Sequence, residues 1–147
     1  MVEMSGSEPQ TRTILVVKHE PELRVVKRLL SAEPSKILVA TSGARALEIA
    51  ERNRLDLVIL GVKLPDAKGT DILRRLRAID ADVPVIMMTG HPSAGTVRAA
   101  MELGAFDYLT EPFDMEEMRR VVRDALASRG TYAFARLERS ATLDAAS

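Results

Sequence analysis

Apolar residues along this chain alternate between two periods. Thr13-Ile14-Leu15-Val16-Val17 is a short β-branched run, the pattern of a strand buried on both faces. Over residues 21–33, Leu23, Val26, Leu29 and Leu30 recur at helical spacing, and Pro21 suits a first helical turn. Ile37-Leu38-Val39-Ala40 reads as a second strand, and Thr41 or Ser42 is placed to cap a helix carrying Ala46, Leu47, Ile49 and Ala50. Leu55 to Leu60 reads as a third strand. A loop with Pro65 and Gly69 leads to a helix marked by Ile72, Leu73, Leu76 and Ile79. Val83 to Met88 is the fourth strand, with Pro84 tolerable near its start. A helix over 93–103 ends at Gly104, Ala105 to Leu109 is the fifth strand, and Asp114 caps a last helix carrying Met118, Val121, Val122, Ala125 and Leu126.

Five strands alternating with five helices predict an α/β fold with a parallel sheet covered on both faces, because parallel neighbours need a crossover. Right-handed crossovers favour the doubly wound, flavodoxin-like order 2-1-3-4-5. Ligands of such sheets sit outside the carboxyl ends of the strands. That rule selects Lys18 and His19 after strand 1, Gly61 after strand 3, Thr89 after strand 4 and Glu111 after strand 5.

The periodic region defines a domain over residues 12–128. Residues 1–11 are small and polar and read as a flexible segment without the basic start and apolar run of a signal peptide. Ser128-Arg129-Gly130 reads as a helix stop. Residues 129–147 form a tail, disordered or a short helix with Phe134, Leu137 and Ala141 on one face. No apolar stretch approaches spanning length, so a cytoplasmic location is expected.

Composition narrows the chemistry. The 147 residues hold 21 Lys and Arg against 21 Asp and Glu, which argues against nucleic-acid binding and a polybasic membrane contact. Without cysteine there is no thiol nucleophile or thiolate metal site. Trp is absent and aromatics are few, so a stacking platform for single strands is not expected. The basic runs Arg74-Arg75-Arg77 and Arg119-Arg120-Arg123 lie within amphipathic helices and read as solvated faces.

Several segments carry a family resemblance. They are Ile14-Leu15-Val16-Val17 ahead of Glu20-Pro21, Asp56 to Leu60 ahead of Leu64-Pro65-Asp66 and Gly69, Val85-Ile86-Met87-Met88-Thr89-Gly90-His91, and Gly104 to Thr110 ahead of Pro112-Phe113-Asp114. Over roughly residues 12–127 the chain resembles the CheY-like receiver domains of bacterial two-component response regulators. The last two segments look most like receivers of enhancer-binding transcription activators. Those proteins carry an ATPase and a DNA-binding domain after the receiver, and neither is expected within these 147 residues. The resemblance implies phosphoryl transfer onto an aspartate at the end of strand 3, with Mg²⁺ held by two acids after strand 1 and a lysine after strand 5. In this sequence those positions are Gly61, Lys18-His19 and Glu111, and of the pocket residues only Thr89 matches the family.

The expectation is therefore a pseudo-receiver: no enzyme activity, no Mg²⁺ or other cofactor, and regulation through protein contacts. Lys18 and Glu111 are expected to form a salt bridge in the space of the missing ion. The contact surface, for a protein partner or self-association, is expected on the helix over 93–103, strand 5 and the last helix, with Arg98, Phe106, Tyr108 and Phe113 as its candidates. Thr89 and Tyr108 are the family's switch positions. The simpler reading makes Thr89 a loop cap and Tyr108 a half-buried aromatic. Two alternatives stay open: phosphorylation at a displaced carboxylate, Asp66 or Asp56, and sensing of a small ligand or anion in space opened by Gly61 beside Lys18. A metal on His19, His91 and Glu111 or Glu20 lacks any ligand-spacing motif, and His19 as a substitute acceptor lacks the assisting metal.

Overall fold

A computed structural model describes residues 12–19 and 35–129. Its strands are β1 (Arg12–Val17), β2 (Ser35–Ala40), β3 (Leu57–Gly61), β4 (Val85–Thr89) and β5 (Asp107–Thr110). Its helices are α1 (Gly43–Arg52), α2 (Gly69–Ile79) and α3 (Ala94–Glu102), followed by α4 over residues 115–129. The helix expected over 21–33 and the segments 1–11 and 130–147 lie outside the described residues. Every strand pairing is parallel and the order is β2-β1-β3-β4-β5, as the alternation predicts.

The central strands β3 and β4 are buried along their whole length because each face meets its own helical layer. Leu15, Val17, Val58, Leu60, Val85 and Met87 pack with Ala46 and Ile49 of α1, Ile72, Leu73 and Leu76 of α2, and Ala100 of α3. Ile14, Val16, Leu57, Ile59, Ile86, Met88 and Leu109 pack with Met118, Val121, Val122 and Ala125 of α4. Alternate residues thus fill two separate cores, which fixes the strand register. No described helix is long and apolar enough to cross a membrane.

Local chemistry sets the element ends. Ser42 caps α1 by accepting from the Arg45 N–H, and the Asp114 carboxylate accepts from the Glu116 N–H at the start of α4. After α3, Gly104 adopts φ 91°, and the Gly104 and Ala105 N–H groups donate to the Met101 and Ala100 carbonyls. Ala105 is therefore still tied to the helix, and β5 starts at Asp107 rather than at Ala105. Asp56 precedes β3 at the opposite edge of the sheet, where its carboxylate accepts from the Thr13 N–H at 2.8 Å. β3 extends through Gly61, which is the last strand residue and not the first loop residue.

Helix α4 includes Arg129, which the sequence pattern assigned to the tail. Its guanidinium donates to Asp80 at 2.7 Å and ties the last helix to the segment after α2. The Arg12 guanidinium donates to the Leu126 carbonyl at 3.2 Å.

Candidate functional site

The register carries the ends of β1, β3, β4 and β5 to one edge: Val17 stands beside Leu60, Gly61 beside Met88, and Thr89 beside Thr110. Lys18 follows β1 and Glu111 follows β5, so two strands lie between them. Their side chains nevertheless meet, Lys18 Nζ donating to Glu111 Oε1 at 2.8 Å. Gly61 makes this possible. A Cβ there would stand 2.9 Å from Lys18 Cδ and 3.3 Å from the Val17 carbonyl, so the lysine stem occupies the volume that a side chain would take. The ammonium is well buried, with its side chain 7% exposed against 18% for Glu111. The backbone secures both partners: the Lys18 N–H donates to the Ala40 carbonyl at 3.1 Å, and the Glu111 N–H to Thr89 at 2.7 Å.

The same geometry corrects one expectation. Gly61 opens no free space beside Lys18, because the lysine itself has folded into it. The open volume lies farther out, as a cavity of about 790 Å³ on the carboxyl edge, lined by Lys18, His19, Thr89 and Glu111 together with Lys63, Lys68, His91 and Thr96. The edge rule missed Lys63 and Lys68 because it selects residues at strand ends, whereas these come from the loop after β3 that curls back over the edge. The loop closes through a backbone bridge between Lys63 and Lys68, with the Gly69 N–H donating to the Val62 carbonyl at 2.6 Å. A Cβ at Gly69 would run into the Gly61 carbonyl, so the closure needs glycine.

Thr89 is buried and its Oγ1 accepts from the His91 N–H at 3.1 Å, the bond of a loop cap. Tyr108 is half-buried, and its hydroxyl meets Thr96 Oγ1 at 3.4 Å rather than Thr89. Thr96 also completes a capping box with Ser93 at the start of α3. Arg98 is exposed on α3. The three aromatics divide between the faces: Phe106 and Phe113 pack against the α4-side core, Tyr108 against the other. They form no single aromatic patch.

The displaced carboxylates have other work. Asp66 accepts from the Gly43 and Ala44 N–H groups at 2.8 and 3.0 Å, at the start of α1. Those two bonds hold its carboxyl below the ordinary value of 3.8 against a smaller opposing effect of burial. Asp56 binds Thr13 at the far edge of the sheet. Neither carboxylate lines the cavity.

Mg²⁺ takes six oxygens in octahedral array, usually including one or two carboxylates. Among the described residues the edge provides one carboxylate, Glu111, already held by an ammonium, with the imidazoles of His19 and His91 also lining the cavity and a glycine, Gly61, beneath the lysine stem. That donor set does not suit the ion. Among the described residues no three His, Asp or Glu side chains converge to hold a metal.

Comparison with known proteins agrees with this architecture. Residues 14–123 match the response regulator receiver domain. The chain is 36% identical over 119 residues to the uncharacterized transcriptional regulatory protein YkoG of Bacillus subtilis, covering 80% of this chain and 52% of that one. It is 33% identical over 114 residues to sporulation initiation phosphotransferase F of Bacillus subtilis, covering 77% and 92% respectively. The chain thus spans about half the length of some curated relatives and nearly all of another. Among solved structures, the signal receiver domain of an HD domain-containing protein from Pseudomonas fluorescens Pf-5 superposes with TM-score 0.80 at 28% identity, over 84% of this chain and 93% of that one. The receiver domain of sensor histidine kinase PA1611 from Pseudomonas aeruginosa, which has magnesium coordinated in its active-site cleft, superposes with TM-score 0.74 at 27% identity, over 81% and 100%. With its sheet order, its two helical layers and its carboxyl-edge cleft in place, the chain belongs to the response regulator receiver domain family.

Proposed function

We propose that this protein is a phosphorylation-independent receiver, a cytoplasmic regulatory module of bacterial signal transduction that acts through protein contacts and catalyses nothing itself. The observation that carries this reading is the Lys18–Glu111 pair at 2.8 Å, its lysine stem lying over Gly61. Gly61 has no side-chain oxygen to accept a phosphoryl group. An ammonium 4 Å from a divalent ion opposes it by about 8 kcal/mol at an effective dielectric of 20, so Lys18 disfavours Mg²⁺ at this edge. The pair also satisfies internally the charges that metal and phosphoryl group would otherwise balance.

The contact face in this reading comprises α3, β5 and α4, offered to a protein partner or to a second copy. Arg98 and Tyr108 are its candidate determinants. Phe106 and Phe113, packed on the α4-side core, shape it from beneath.

Incubation with a small phosphodonor and Mg²⁺, followed by intact mass, tests the reading. The expected mass is that of the unmodified chain, and a stoichiometric phosphoryl adduct overturns it. Sedimentation over a range of concentrations tests self-association; a monomer throughout assigns the face to a different protein.

A further inference from the structure

The loop after β3 sets two cations side by side. Lys63 and Lys68 face each other across an antiparallel backbone bridge, closed by the Leu64 N–H to the Ala67 carbonyl at 3.1 Å. Both side chains are exposed, both line the cavity, and neither makes an ion pair among the described residues. Like charges at directly opposed positions destabilise a strand pair, and an anion between them removes that repulsion. With Lys18, three ammonium groups line this cavity against the single carboxylate of Glu111 among the described residues. Counting the imidazoles as neutral, the described lining residues carry a net charge of +2, in a chain whose overall formal charge is zero.

The rest of the lining narrows the ligand. Val62, Leu64 and Pro65 contribute an apolar wall, and Thr70 and Thr96 also line the cavity. About 790 Å³ lies within the range of small-molecule sites and exceeds what a bare phosphate fills. We infer that the cavity binds a small organic phosphate of nucleotide size without metal, its phosphates between Lys63 and Lys68 and its flat or apolar body against the Val62–Pro65 wall. The inference rests on the reading above, since a covalent phosphoryl group with Mg²⁺ would claim the same edge. Thr96 connects the cavity to the hydroxyl of Tyr108, so occupancy reaches the proposed contact face.

Titration calorimetry of the full chain in EDTA tests this with ADP, which supplies a diphosphate and a planar base, and with inorganic pyrophosphate, which supplies only the first. ADP is expected to bind, and pyrophosphate to bind about tenfold more weakly or worse. Lys63→Ala with Lys68→Ala is expected to weaken ADP by about tenfold or more, since each lysine removes a charged hydrogen bond. Arg119→Ala with Arg120→Ala, which removes the same charge from exposed positions outside the cavity lining, is expected to change it less than about twofold. No heat with ADP at millimolar concentration overturns the inference. So does equal affinity for pyrophosphate, a requirement for Mg²⁺, or an equal loss in the arginine variant. A phosphodonor assay on the same sample separates the two readings. A covalent adduct defeats the phosphorylation-independent reading, whereas neither adduct nor ADP binding defeats this inference alone.

Discussion

Gly61 and Lys18 share one volume: a Cβ on the glycine would stand 2.9 Å from the lysine Cδ. The two positions are 43 residues apart in sequence and lie at the ends of adjacent strands, with Val17 registered against Leu60. The missing side chain on β3 and the long one after β1 are therefore a single packing solution. It lets an ammonium cross the end of β3 and meet a carboxylate carried by β5.

Gly61→Ala measures that shared volume. The added methyl group forces the lysine stem to move and presses on the Val17 carbonyl, and overpacking of this kind costs roughly 1–3 kcal/mol. In a Lys18→Ala background the same substitution is expected to cost distinctly less. Urea denaturation of the four proteins checks this; equal costs in the two backgrounds would show that the stem does not occupy the space.

The Lys18–Glu111 pair gives the second prediction. Lys18→Met or Glu111→Gln is expected to destabilise by roughly 2–4 kcal/mol, below the ~3–5 of a fully enclosed pair because Glu111 keeps contact with water. Much of that loss is the charge left behind, so the double variant is expected to cost less than the sum, with a coupling of about 1–3 kcal/mol. A coupling near zero in the denaturation cycle would remove the pair as an organising contact.

How far the site was legible in the sequence depended on whether a residue's role was fixed by its strand. The sheet order followed from the alternating periods, and Lys18, Thr89 and Glu111 stand at the carboxyl edge because strand ends determine their positions. Roles set by loop path and side-chain direction were not visible. Asp66 looks like an available carboxylate until its two bonds to the start of α1 are seen. Lys63 and Lys68 look like solvated loop residues until the backbone bridge brings them together. Phe106 and Tyr108 have the spacing of same-face strand neighbours, yet Phe106 precedes the regular strand and turns to the other core. Arg129 falls at an evident helix stop, and nothing local announces its contact with Asp80, 49 residues earlier.

That contact predicts an acid response. Burial opposes the charge on Asp80, but the hydrogen bond from Arg129, the Asp82 N–H and the charges of Arg129 and Arg54 outweigh it and hold the carboxyl below 3.8. A carboxyl depressed in the folded state contributes stability that is present above its unfolded value near 4 and is lost as pH falls through the folded value. Asp66, also depressed, acts in the same direction. Asp80→Asn is expected to lower stability at pH 7 by about 1–2 kcal/mol, discounted because the Asp80 side chain is 31% exposed. Below pH 4 the variant is expected to lose less further stability than the parent. Parallel curves from denaturation across pH 2–7 would show that the pair carries no linked proton.

The last prediction reverses the pocket. Lys18→Asp, His19→Asp, Gly61→Asp and Glu111→Lys together place an acid pair after β1, a carboxylate at the end of β3 and an ammonium after β5. The exchange at 18 and 111 keeps one charge of each sign across the edge, and the shorter residue at 18 vacates the volume that the new side chain at 61 requires. Thr89 already stands at the end of β4 and lines the cavity. With Mg²⁺ and a small phosphodonor, the fourfold variant is expected to gain one phosphoryl group by intact mass while the parent gains none. Reversal of Gly61 alone is expected to fail, because Lys18 still fills the space and still opposes the metal. If Gly61→Asp by itself gave the adduct, the lysine would be a passive neighbour of an otherwise competent site, and the charge inversion would carry no weight in the phosphorylation-independent reading.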